Sequence, residues 1–196
     1  MTHTPPTTWY ELPSPNQPDQ VAAWSTEMLK RWLDDIRTPL DARMVSLRRN
    51  LLESLASTPL DPDLPLRYMC FPPSVAGELL YEFAVLEPDE ALGWEALHQE
   101  LLDSLTVGTT RDERAVESDS SVRGSISFAV LPLTGAVGRT TPTTGQVVAI
   151  VRRLTPTGWI DVLGRARDPD IGLLEESIAP VMSFLHGEDI LVARAG

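Results

Sequence analysis

"QVVAIVRRLTPTGWIDVLGRARD" (residues 146–168) decides the fold. Residues 146–154 are apolar on both alternating sets of positions until Arg152, the pattern of a strand covered on both faces. "TPTG" (155–158) turns the chain, and residues 159–168 resume with period two, so the two runs predict a β-hairpin. A strand of this kind belongs at the centre of a sheet. The rest of the chain must therefore supply flanking strands and cover for both faces.

Working outward, "GSISFAVLPL" (124–133) sets Ile126, Phe128 and Val130 against Ser125, Ser127 and Ala129, a half-covered strand. Between it and the hairpin, "TGAVGRTTPTTG" (134–145) is a loop. Upstream, "RYMCF" (67–71) is a short strand stopped by Pro72 and Pro73, and "ELLYEFAVLE" (78–87) alternates through Leu79, Tyr81, Phe83 and Val85. "TVGTTRDERAVESDSS" (106–121) is polar and includes one edge strand. Two helices complete this part. Residues 89–105 bury Trp94, Leu97, Leu101, Leu102 and Leu105; residues 170–186 use Ile171, Leu174, Ile178, Val181 and Leu185. Pro180 inside the second is expected to kink or split it.

The N-terminal third has a different period. Residues 1–18 contain five prolines, which makes an extended arm. Its "WYELP" patch (9–13) is expected to anchor the arm, because an aromatic pair in a polar tail has few other ways to leave water. Trp24, Met28, Leu29, Trp32, Leu33 and Ile36 recur at helical spacing over 19–37. Thr38 as N-cap and Pro39 at the first helical position start a second helix. Its expected inner stripe is Leu40, Met44, Leu47, Leu51 and Leu55, with the charges on the far, solvated side. "STPLDPDLPL" (57–66) links this pair to the strands. The expected division is an arm (1–18), a helical pair with linker (19–63) and a sheet domain (64–196). The fold class is α+β: a mostly antiparallel sheet packed with helices.

Charge narrows the function. The net charge is −12 over 196 residues, which argues against a phosphate-backbone partner. Residues 1–65 carry −3, residues 66–118 carry −8, and residues 119–196 carry −1. No window approaches the ~18 apolar residues of a membrane span, and the start has no basic-then-apolar leader. A cytoplasmic location with no membrane partner is the expectation. Cys70 is a lone cysteine among apolar and aromatic neighbours; it reads as a buried small hydrophobe, with no disulfide and no cysteine-based zinc site.

The middle segment holds the charge. "EPDEALGWEALHQELLDSL" (87–105) has six carboxylates, one histidine and no cation. Its anionic side, with Glu90, Glu95, Gln99 and Glu100, is the candidate surface for docking a basic partner protein, since uncompensated charge of one sign steers association. A face that only keeps the protein in solution is the plain alternative. His98 flanks the apolar stripe and could anchor a small ligand, as could Arg139 in the Gly/Thr loop. Neither sits in a motif: "HQE" lacks the P-C-x-x-C of zinc deaminases, H-E-x-x-H is absent, and the Gly/Thr loop precedes a strand and lacks the P-loop spacing. His3 lies in the arm, and His186 suits a helix C-terminus. No catalytic set, metal site or cofactor is expected.

The strand–strand–helix unit from residue 64, "SVRGSISFAVLPL", the hairpin and the final "IGLLEESIAPVMSFL" together resemble the PsbP-like α/β sandwich. In particular they resemble small actinobacterial proteins of unknown function on that plan, which open with a similar W-[YF]-E-L-P patch, here Trp9 to Pro13. The resemblance implies a non-enzymatic binding or assembly protein: an accessory factor, chaperone, adaptor or immunity-type protein, with some relatives associated with type VII secretion. It carries no site residues over. A pocket-bearing ligand binder or enzyme, and a structural subunit using the arm and the 19–57 helices, are the alternatives.

Overall fold

The computed structural model describes residues 8–35, 41–71, 77–88, 93–105, 109–118, 121–132 and 143–186. In chain order they form β1 (Thr8–Glu11), α1 (Pro18–Asp35), α2 (Ala42–Ser57), β2 (Leu66–Phe71), β3 (Leu79–Leu86), α3 (Trp94–Leu105), β4 (Thr109–Ser118), β5 (Val122–Pro132), β6 (Thr143–Thr155), β7 (Gly158–Asp168) and α4 (Ile171–His186). The strands make one sheet in the order β1-β2-β3-β7-β6-β5-β4. Every pairing from β2 across to β4 is antiparallel. The α+β expectation is met, and the hairpin lies at the centre, in register from Gly145↔Asp168 to Thr155↔Gly158.

The double apolar pattern of β6 follows from cover on both sides. Val147, Ala149 and Val151 join Tyr81, Phe83, Ile126, Phe128 and Val162 in the core that receives Leu174, Ile178, Val181 and Leu185 of α4. Val148 and Ile150 point the other way and meet Ala84, Leu163 and Trp94 of α3. Pleating supplies the alternation, and one helix over each set supplies the burial. At the middle of the first core Phe83 pairs with Gly164. A Cβ on Gly164 would lie 2.6 Å from a Phe83 ring carbon, so glycine there makes room for the ring.

α4 is capped at its start: the Leu173 N–H donates to Asp170 Oδ1 at 3.1 Å. At its end His186 Nδ1 donates to the Met182 carbonyl at 2.7 Å, a C-terminal role that complements the helix dipole. The helix runs unbroken through Pro180, so the expected split does not occur. Buried side chains on both sides of the proline, Leu174 and Ile178 before it and Val181 and Leu185 after it, hold the two halves on one sheet face.

Trp9, Tyr10 and Glu11 of the "WYELP" patch lie in strand β1, at one edge of the sheet. The Trp9 ring stacks on Phe184 at 4.3 Å and meets Tyr81 edge-on at 5.3 Å. At the opposite edge, β4 supplies the strand expected within 106–121; its register shifts between Thr110 and Asp112, and Glu113 and Arg114 are exposed. Charge and irregularity there discourage edge-to-edge pairing.

By contacts the chain divides into two compact units, Tyr10–Pro62 and the sheet unit comprising Trp9 and the chain from Asp63 onward. In the first, α1 buries Val21, Ser25, Met28 and Leu29, and Arg48 of α2 lies 4.7 Å from the Trp32 ring centroid. Two expectations are corrected for α2. Its N-cap is Asp41, whose carboxylate accepts from the Met44 N–H at 2.8 Å; Thr38, Pro39, Leu40 and Ile36 lie outside the described residues. Its buried residues are Leu52 and Ala56, while Met44, Leu47 and Leu51 are exposed. The apolar arc therefore points about a third of a turn away from the packed side. No helix among the described residues is long and apolar enough to cross a membrane.

Candidate functional site on α3 and the sheet face beneath it

α3 begins at Trp94, with the Leu97 N–H donating to the Gly93 carbonyl at 3.1 Å, and the stripe Trp94/Leu97/His98/Leu101 recurs at helical spacing. Trp94 packs on Leu64, Ala84, Val148, Ile150 and Leu163, with Leu101 against the same cluster. The Leu102 and Leu105 side chains lie outside the described residues. Opposite the stripe, Glu95, Gln99, Glu100 and Asp103 are all exposed. Gln99 Nε2 donates to Asp103 Oδ1 at 2.9 Å, one turn on.

Glu95, Gln99 and Glu100 thus share the outer side of one helix. Glu90 and Arg139 lie outside the described residues. His98 belongs to neither set. Its imidazole is half-buried, 5.2 Å from the Trp94 ring, and Nε2 is 2.8 Å from Ser125 Oγ on β5. A histidine beside a serine is a nucleophile–base pairing in some enzymes. Here Ser125 is buried in the sheet, and the contact ties α3 to β5. Ser127, two residues along, is buried with an Oγ that has no hydrogen-bond partner among the described residues.

The sequence left one neighbourhood unread. Under the first turn of α3, Arg152 of β6 donates to Asp161 of β7 through Nε and one terminal nitrogen, both at 2.7 Å. The Arg152 guanidinium lies 4.9 Å from the Trp94 ring, and Arg123 of β5 lies 5.5 Å from Trp94 and 5.8 Å from Trp159. Hydrogen bonding to Asp161 raises the Arg152 pKa most; burial opposes it, and the charges of Asp161 and Glu95 add to it. Arg152↔Asp161 and Arg123↔Arg152 are register partners, so once the β6–β7 and β5–β6 registers are both fixed this cluster follows. Its sequence signal was alternation: Arg123, Arg152, Asp161 and Trp159 all fall on the parity of the α3 face.

Other reactive groups are quiet. Cys70 is buried, and burial pushes its thiol up to about 12, which suits an inert core residue. Tyr81 is raised by burial too. Ser177 spends its proton on the Leu174 carbonyl at 2.7 Å, so the Tyr81 hydroxyl donates to Ser177 Oγ at 2.5 Å. Among the described residues no three of His, Cys, Asp and Glu come together as a metal site. The chain matches no protein-family model, no curated protein and no solved structure.

Proposed function

We propose that this chain is a non-enzymatic, cytoplasmic protein-binding factor that offers the anionic side of α3 to a basic partner surface. The observation that carries the reading is the arrangement of α3. Its apolar side is committed to the sheet, while Glu95, Glu100 and Asp103 are exposed on a helix without a cation. Such a surface steers a basic partner and adds salt dependence to its association. His98 is engaged with Ser125, so the helix's one imidazole serves packing. The PsbP-like sandwich arrangement, and an accessory, chaperone, adaptor or immunity-type role beside a type VII-like secretion system, are part of this proposal through the resemblance of the 64–186 pattern.

The test is affinity capture from host lysate at 50 and 300 mM salt, comparing wild type with a Glu90/Glu95/Glu100→Lys triple variant. A partner held by the wild type at low salt, and released by salt or by charge reversal, supports the reading. A partner retained equally by both proteins at both salts refutes it.

A further inference from the structure

Among the described residues of the sheet unit the large apolar side chains that remain exposed are Leu86, Leu154 and Trp159, at 44%, 46% and 39% of full exposure. All three fall on the α3 face and at one end of the sheet. Leu154 pairs with Trp159 across β6–β7, and Leu86 pairs with Asp161, the next same-face residue of β7. Arg123 is exposed beside them and stacks between Trp94 and Trp159. Its described contacts are these two rings, which fix a long side chain at the rim of the patch. An exposed cluster of Trp, Leu and Arg is the composition of a protein-binding centre.

Charge identifies the occupant. Glu87 follows Leu86 directly and is exposed; Glu95 follows Trp94, is exposed, and acts on the buried Arg152 by its charge. From there the anionic side of α3 continues through Glu100 and Asp103. Beside Arg123, which the two rings hold, the apolar centre thus has an acidic border on its β3 and α3 sides, continuous with the surface assigned to a basic partner. A second copy of this chain, also carrying −12, would bring its own acidic field to the contact.

We infer that Leu86, Leu154 and Trp159 form the apolar centre of the partner site, and that the occupant is a basic amphipathic protein segment. This rests on the reading of α3 as the surface for a basic partner. Its apolar side chains cover the patch, and its cations lie along Glu87, Glu95 and Glu100. The patch sets the dissociation rate and the α3 carboxylates set the association rate, as expected when the centre is desolvated and the rim is charged.

The test uses two synthetic peptides of equal length and charge, a leucine–lysine amphipathic helix and its serine–lysine counterpart. Each is titrated at 50 and 300 mM salt into wild type, Leu154→Ser/Trp159→Ser, Leu86→Ser, and Glu95/Glu100/Asp103→Lys, with folding checked by circular dichroism. The leucine peptide is expected to bind wild type at least tenfold tighter than the serine peptide. That preference should fall in both patch variants, and amide shifts of ¹⁵N-labelled protein should centre on residues 84–86, 123 and 152–161. Equal affinities for the two peptides, a preference unchanged in the patch variants, or shifts centred on α2 would overturn the assignment. So would a wild-type dimer that the Leu154/Trp159 variant abolishes, since the occupant would then be a second copy. The serine peptide tests the underlying reading separately: if it fails to bind wild type at low salt, or binds the α3 variant equally well, the basic-partner reading fails, whatever the leucine peptide does.

Discussion

Arg152 holds Asp161 by two hydrogen bonds of 2.7 Å across the central hairpin, and Asp161 keeps only 1% of its exposure. Two charges in such a place have lost much of their hydration, and their geometry must repay it. Removing one partner leaves the other buried and alone. Asp161→Asn is expected to cost about 3–5 kcal/mol in urea unfolding. Arg152→Met combined with Asp161→Leu should cost much less than the sum of the single changes. Additive losses would show that the pair is not coupled.

Ser125 and Ser127 sit two residues apart on the same face of β5 and should respond with opposite sign. Ser125 Oγ bonds His98 at 2.8 Å, so Ser125→Ala should cost about 1 kcal/mol and speed hydrogen exchange in α3. Ser127 Oγ is buried without a partner among the described residues. Ser127→Ala should be neutral or stabilise by up to about 1 kcal/mol. Thermal and urea unfolding of both variants decides this.

Trp9 fastens β1 through Phe184 and Tyr81. Trp9→Ala should lower stability by about 2–4 kcal/mol, from lost apolar burial and ring contacts. Amides of β1 should lose protection before those of β6. A variant as stable as wild type, with β1 still protected, would show that backbone pairing suffices.

The Cys70 thiol gives a pH signature. Burial raises it from the usual value near 9 to about 12. A raised thiol pKa means that the folded state favours the protonated form. This contribution is fully present below pH 9, and stability falls as pH rises from 9 toward 12. Alkylation by iodoacetamide between pH 7 and 9.5 should therefore track unfolding. A rate that instead climbs with pH like that of a free thiol, with no change in unfolding, would place Cys70 in contact with solvent.

Charge reversal of Glu100 and Asp103 should leave urea stability within about 0.5 kcal/mol of wild type, because these side chains are exposed on α3. A larger loss would mean that the acidic side packs against something in the folded chain.

Much of the fold was legible because local pattern and burial agree. Apolar residues on both parities of 146–154 required two covered faces, and α3 and α4 supply them. Turn chemistry at 155–158 fixed the hairpin, and aromatic content marked Trp9 as an anchor. Other features were not legible. Met44, Leu47 and Leu51 keep helical spacing whether they face inward or out, so period alone could not tell which arc of α2 is buried. Pro180 carries a local penalty that packing on both sides overrides.

The sequence by itself determined the class of the fold, the central hairpin, and the helix on which the carboxylates gather, because each depends on a period of 2 or 3.6 and on residues near in the chain. Only the tertiary structure decided which side chains meet. His98 finds Ser125 across 27 positions, Arg123 meets the Trp94 and Trp159 rings through the β5–β6 register, and Leu86, Leu154 and Trp159 come together on three strands. Such meetings depend on register and layer order, which long-range burial sets and no short window of sequence contains.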